Sequence, residues 1–171
     1  MNGASITIEE GYSPGCIGRI VELHGRYYAE HQGFGSYFES KVARELGEFC
    51  SRYTPGRDGL WVARRGDLIE GSIAIDGSDA DCARLRWFIV SDALRGTGIG
   101  TRLIVAALDF CRSRGNGRVQ LVTFASLDAA VHLYVKHGFR LIFEERGSNW
   151  GKEVMEQQYE LVVCGPGQDS P

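Results

Sequence analysis

The chain has 171 residues, 43% of them hydrophobic and 24% charged, which suits one domain with its own core and excludes disordered, collagen-like and fibrous classes. With 19 basic and 22 acidic residues the net charge is −3, so no global basic field draws the chain to nucleic acid. The longest wholly apolar run, Leu103 to Leu108, is too short to cross a bilayer, so no membrane partner is expected. The amino terminus, with Glu9 and Glu10, lacks the basic-then-apolar pattern of a secretory signal. Five scattered cysteines with no CxxC pair read as reduced thiols of a cytoplasmic protein, and no metal site is expected.

Ser5 to Glu9 alternates as a short strand, and a first helix is expected from about Ile17 to Tyr28, with Ile20, Leu23, Tyr27 and Tyr28 in one apolar stripe. His31 to Gly35 reads as a loop. Ser36 with Glu39 three residues on predicts a capping box opening a second helix, which carries Phe38, Val42, Leu46 and Phe49 to about Tyr53. Leu60 to Arg64, Leu68 to Asp76 and Cys82 to Val90 read as an antiparallel meander. A helix from about Gly98 to Arg114 follows, closed by Gly115-Asn-Gly117. Then come a strand Arg118 to Phe124, a helix Leu127 to His137, and strands Phe139 to Glu145 and Val154 to Val163. The order βααβββαβαββ predicts a single α+β domain over residues 1–164, with a mixed sheet of about seven strands, helices on both faces, and a flexible tail over 165–171.

Glycine is over-represented, 23 residues against about 12 at the usual ~7%, and its placement carries the functional reading. The strand ending Phe88-Ile89-Val90 leads to Arg95-Gly96-Thr97-Gly98-Ile99-Gly100-Thr101, which opens a helix. The first turn of a helix has amides without internal partners and the positive end of the macrodipole, and residues without side chains let an anion reach the backbone. This arrangement suits a phosphate or pyrophosphate, with Arg95 able to add a charged contact. A P-loop would need a GK pair, absent here, and a dinucleotide fingerprint would need glycine where the chain has Thr101. A loop in which the glycines only shape a tight turn is the bland alternative.

Arg95 to Gly100 resembles the R-x-x-G-x-G/A signature of the GNAT superfamily of acyl-CoA-dependent N-acetyltransferases, and Leu133-Tyr-Val-Lys-His-Gly-Phe139 resembles that superfamily's second signature. Residues His24 to Phe49 are also similar to acetyltransferase domains fused behind MarR-type winged-helix regulators, and a domain without the regulator is expected. The resemblance implies that Phe88, Ile89 and Val90 offer backbone groups to the pantetheine arm of acetyl-CoA, that residues 95 to 101 wrap its pyrophosphate, and that Tyr134 lies near the thioester sulfur. Many members carry an asparagine where this chain has Leu127, so Ser126 stands in as the nearest polar contact.

Transfer to an amine needs a proton for the departing thiolate, and a phenol can serve, so Tyr134 is the candidate acid. The alternative is a helix tyrosine packed on the sheet with its hydroxyl in water. The strand Arg84 to Val90 has no carboxylate, so a base must come from elsewhere. Glu30 is the first candidate because it ends the first helix near the expected acceptor pocket, followed by Glu22, His24, His31 and Asp76. Tyr27, Tyr28, Phe34 and Trp150 are expected to line that pocket, though each would also serve as core. The resulting expectation is an enzyme that moves an acetyl group from acetyl-CoA to a small amine in a ternary complex. The rival reading is a non-catalytic acyl-CoA sensor or interaction module. The oligomeric state stays open, with a homodimer as one option.

Overall fold

The computed structural model describes residues 5–163. Their elements run β1 (Ile6–Glu10), α1 (Cys16–Gln32), α2 (Ser36–Ser51), β2 (Gly59–Arg65), β3 (Leu68–Asp76), β4 (Cys82–Val90), α3 (Ile99–Arg114), β5 (Arg118–Phe124), α4 (Asp128–Lys136), β6 (Arg140–Gly147) and β7 (Val154–Val162). The strands form one sheet in the order β1-β2-β3-β4-β5-β7-β6. Every neighbouring pair is antiparallel except β4 with β5. The expected α+β architecture and element order are therefore what the chain adopts; the expected tail, 165–171, lies outside the described residues.

Alternating apolar residues send one set of strand side chains to each face, and each face buries them under two helices. Leu103, Ile104 and Leu108 of α3 and Tyr134 of α4 pack with Ile73, Leu85, Val119 and Leu121 on one side. Ile20 of α1 and Phe38, Leu46 and Phe49 of α2 pack with Leu60, Val62, Ile89 and Phe124 on the other. Helices α1 and α2 come close at Gly25, where even a Cβ would stand 2.9 Å from the Glu39 carboxylate.

That contact corrects the expected capping box. Ser36 is already helical and no side chain caps α2; the Gly35 carbonyl takes the first amides, from Phe38 and Glu39, while the Glu39 side chain faces α1. Likewise, His31 and Gln32 belong to α1 rather than to a loop. The helix ends in paired bonds from the Gly33 amide to Ala29 and from the Phe34 amide to Tyr28. Helix α2 stops at Ser51, two residues early, and Tyr53 instead stands edge-on to Phe49.

The feature that positions the site is an irregularity in β4. Ser72 pairs with Ile89 and Ala74 with Arg86, so Trp87 and Phe88 together face Ile73 alone. Trp87 takes φ 46°, a left-handed conformation that costs a side-chain-bearing residue roughly 1–2 kcal/mol. Three contacts hold it there: its ring packs on Phe49 at 5.3 Å, the Arg86 guanidinium stacks on it at 4.2 Å, and the buried Ser72 hydroxyl donates to its carbonyl at 2.7 Å. Ser72→Ala should lower unfolding free energy by about 1–3 kcal/mol, because the Trp87 carbonyl then loses its buried donor. Urea unfolding measures this, and an unchanged midpoint would mean the bulge holds without that bond.

Candidate active site

Strands β4 and β5 pair only at Cys82–Arg118, Ala83–Val119 and Arg84–Gln120 and then separate. The gap between them opens a cleft of about 560 Å³. Its walls come from both faces of the sheet: Leu85, Leu121 and Tyr134 belong to the core under α3, while Phe38, Phe124 and Trp150 belong to the side under α1 and α2.

Beside the end of β4, the glycine loop forms an amide cradle. The first intrahelical bond of α3 runs from the Arg102 amide to the Gly98 carbonyl at 3.1 Å, so among the described residues the amides of Gly98, Ile99, Gly100 and Thr101 have no backbone acceptor. Gly96 and Gly98 take φ of 73° and 80° with open space around them, so the backbone there is exposed to an approaching anion. Gly100 differs, since it faces Leu133, Phe88 and Val90 and seats the helix on the sheet. The Thr97 hydroxyl donates to the Leu94 carbonyl at 2.6 Å and braces the turn. Arg95 reaches the loop, with its guanidinium over the Tyr27 ring at 4.7 Å and paired with Asp92 at 3.0 Å.

Tyr27 consequently stands with the glycine loop and not among the residues lining the cleft. Phe34 does not line it either; buried, it packs between Tyr28, Phe38 and Phe124. Of the four residues expected around the acceptor, Tyr28 and Trp150 line the cleft. Ser126, at φ 106°, donates to the Gln32 side chain at 3.2 Å and ties the β5–α4 turn to the end of α1.

Tyr134 is 6% exposed and lines the cleft, ringed by Phe88, Phe139 and Tyr159. Burial, reinforced by neighbouring Tyr28, pushes its phenol above the usual tyrosine range, so it is held protonated as a donor. Burial does the same to Tyr28. His24 stacks on Tyr28 at 6.1 Å and also lines the cleft. Its Nδ1 lies 2.8 Å from the Ile20 carbonyl, which can only accept, so Nδ1 carries the proton and Nε2 keeps a lone pair. Burial pushes this imidazole down to about 4, leaving it neutral at physiological pH.

The other base candidates stand elsewhere. Glu30 is exposed and outside the cleft lining, because two residues beyond Tyr28 turn a helix by about 200° and send it to the opposite side. Glu22 pairs with Arg19 and Arg26, His31 stacks on Tyr27 at 4.3 Å, and Asp76 pairs with Arg52; none lines the cleft.

Acidic groups that do line it are Glu45 and Glu156. Glu45 pairs with Lys41 and Arg86; burial raises its carboxyl, but the bonds and charges of those two cations outweigh this and hold it below the ordinary range. Glu156 is 7% exposed and receives bonds from the Asn149 amide at 3.0 Å and the Asn149 side chain at 2.6 Å, with no cation paired to it among the described residues. Sequence reasoning missed both. The signal for Glu156 was the alternation of Glu156, Gln158 and Glu160 with Tyr159 and Leu161, a strand with one polar face.

The family model described as "Acetyltransferase (GNAT) family" matches residues 19–139. The chain belongs to this family. Among curated relatives, this GNAT chain is 29% identical over 120 residues to N-acetyltransferase 8 of Rattus norvegicus, covering 67% of the chain and 54% of the relative. The match thus spans about half of that relative's length. Among solved structures, an acetyltransferase from Streptococcus agalactiae superposes with a TM-score of 0.74 at 20% identity, covering 95% of this chain and 100% of that one. The acetyltransferase yncA of Salmonella typhimurium, described with its cofactor acetyl-CoA, gives 0.72 at 16% identity and 97% coverage of both chains. Among the described residues no helix is long and apolar enough to cross a membrane, and no cluster of metal-ligating side chains occurs.

The buried His24 has a measurable signature. Its folded imidazole titrates near 4 against an ordinary 6.5, so the stability it contributes is complete above pH 6.5 and is lost as pH falls towards 4. The difference corresponds to roughly 3 kcal/mol at ~1.36 kcal/mol per pH unit. His24→Asn, which retains a donor for Ile20, should flatten the fall in unfolding free energy between pH 7 and 4.5 relative to the parent. Parallel curves would show that His24 takes up its proton in the folded state.

Proposed function

We propose that the chain transfers the acetyl group of acetyl-CoA directly to the primary amine of a small acceptor while both are bound. The observation that carries this reading is the cleft between β4 and β5, lined from both sheet faces and flanked by an amide cradle. Among the described residues no cysteine or serine lines it, which favours direct transfer over a covalent relay on either of those side chains.

In this reading the amides of Gly98 to Thr101 hold the pyrophosphate, with the positive end of α3 behind them. Phe88, Ile89 and Val90 present backbone to the pantetheine, since β4 has no β5 partner past Arg84. Acetyl-CoA supplies an activated acyl group with a thiolate as leaving group. The acceptor, having lost one ammonium proton, attacks the thioester carbonyl; a C–N bond forms, the C–S bond breaks and its electron pair stays on sulfur. Tyr134 delivers a proton to that sulfur and is reprotonated from solvent, to which the nitrogen releases its own proton, so the products are an N-acetyl amide and the free thiol. Burial serves this role by keeping the phenol protonated.

Coenzyme A at ~100 times its dissociation constant should stabilise the fold by roughly 2.7 kcal/mol, seen as a rise in melting temperature. Gly98→Asn tests the cradle, because asparagine tolerates the left-handed backbone while its side chain fills the anion's space; the shift should disappear with the apo melting temperature little changed. An undiminished shift would mean that the glycines only shape the turn.

Tyr134→Phe should leave coenzyme A affinity nearly intact and lower kcat by roughly 10²-fold in an assay limited by chemistry. Thiol release across amines, amino acids, polyamines, aminoglycosides and peptides finds the acceptor. Coenzyme A binding without release from any of them would favour the sensor reading.

A further inference from the structure

The charged residues in the cleft are not scattered. Arg86 lines the cleft from β4, and across β5 Val122 pairs with Gln158 and Phe124 with Glu156. Glu156 therefore sits at the tip of the gap on the β7 side, beside the last residue of β5, and Arg86 lies deeper, on the β4 side. Beside Arg86 stand Lys41 and Glu45, two cations on one carboxylate, which leaves that wall one positive charge in excess. At the tip the imbalance is reversed, since the buried Glu156 has only the neutral Asn149 as partner. A buried carboxylate without a cation is costly, and a ligand's ammonium would relieve that cost. Tyr28, Phe38, Phe124 and Trp150 form the apolar wall between.

Resting on the acetyl-transfer reading above, we infer that the acceptor is a small zwitterionic amino acid with an apolar side group. Its ammonium is held by Glu156 beside the thioester, and its carboxylate is held by Arg86 and Lys41. A diamine would meet positive charge at the deep end. A peptide amino terminus would bring a neutral amide to two cations.

The test uses the full chain with acetyl-CoA and matched acceptors: phenylalanine, leucine and methionine, each beside its α-amide and its decarboxylated amine. Thiol release should give at least one amino acid a kcat/KM ten or more times that of both its carboxylate-free analogues. Arg86→Gln should reduce this ratio at least tenfold, and Lys41→Met reports on the same ratio should Arg86→Gln fail to fold. Glu156→Gln should raise KM for the preferred amino acid at least tenfold, whereas a role confined to holding the Asn149 turn would leave KM in place. A carboxylate-free amine that matches or exceeds its amino acid in every set overturns the inference and leaves acetyl transfer standing. No thiol release from any amine, with coenzyme A bound, removes acetyl transfer itself and this inference with it.

Discussion

Everything that matters for the site depends on two parallel strands that pair for only three residues. β4 and β5 start together at Cys82 and Arg118 and part after Arg84 and Gln120. Parting two neighbouring central strands exposes backbone that a regular sheet would satisfy, and the chain supports the opening from outside the gap. The bulge at Trp87–Phe88 redirects β4, and a left-handed tryptophan is tolerable only because Phe49, Arg86 and Ser72 each fix one part of it. β5 is held on its other side by seven residues of antiparallel pairing with β7. The opening is thus a consequence of the core, and both helical layers contribute to its walls.

The bulge also determines which residues meet in the cleft. Before it, Arg84 and Arg86 share the side of the sheet covered by α1 and α2; the extra residue then puts Trp87 and Ile89 on that side and turns Phe88 and Val90 towards α3 and α4. Phe88 consequently stands beside Tyr134 at 6.0 Å, and both line the gap from the side covered by α3 and α4. Arg86 keeps its stack on Trp87 while reaching Glu45 across the other side. One local irregularity therefore sends Phe88 to the side of Tyr134 and leaves Arg86 on the side of Glu45.

Elements with long, regular patterns were legible in the sequence. Helix α2, read from Phe38, Val42, Leu46 and Phe49, buries those same four residues, and strands β3, β4 and β5 have the expected bounds. The glycine loop was legible too, because its chemistry is local: strand, turn and helix start are contiguous in the chain. Helix ends were not, since Ser36 and Glu39 satisfy the capping pattern in sequence while a neighbouring helix draws Glu39 away. The acceptor side was the least legible. β7 inserts between β5 and β6, so Glu156 meets Phe124 only through a strand order that no local pattern encodes. Glu30 failed for the converse reason: it is adjacent in sequence to cleft residues but lies on the far side of their helix.

The electrostatics of the cleft follow from which charges each element could satisfy by itself. Glu45 is on α2 one turn from Lys41, and β4 brings Arg86 to the same carboxylate, so the deep wall is neutralised beyond balance. Glu156 projects from a strand whose neighbours on that face are Phe124, Gln158 and Glu145, none of them a cation, and the turn before it supplies only the amide donors of Asn149. Two uncharged hydrogen bonds satisfy the geometry of a carboxylate without cancelling its charge. Elsewhere in the cleft the phenols of Tyr28 and Tyr134 and the imidazole of His24 are all held neutral by burial. The charged lining residues Lys41, Glu45, Arg86 and Glu156 all stand on the side of the sheet covered by α1 and α2, whereas Tyr134 enters from α4 on the other side. The cleft thus meets a neutral phenol from one helical layer and its fixed charges from the other.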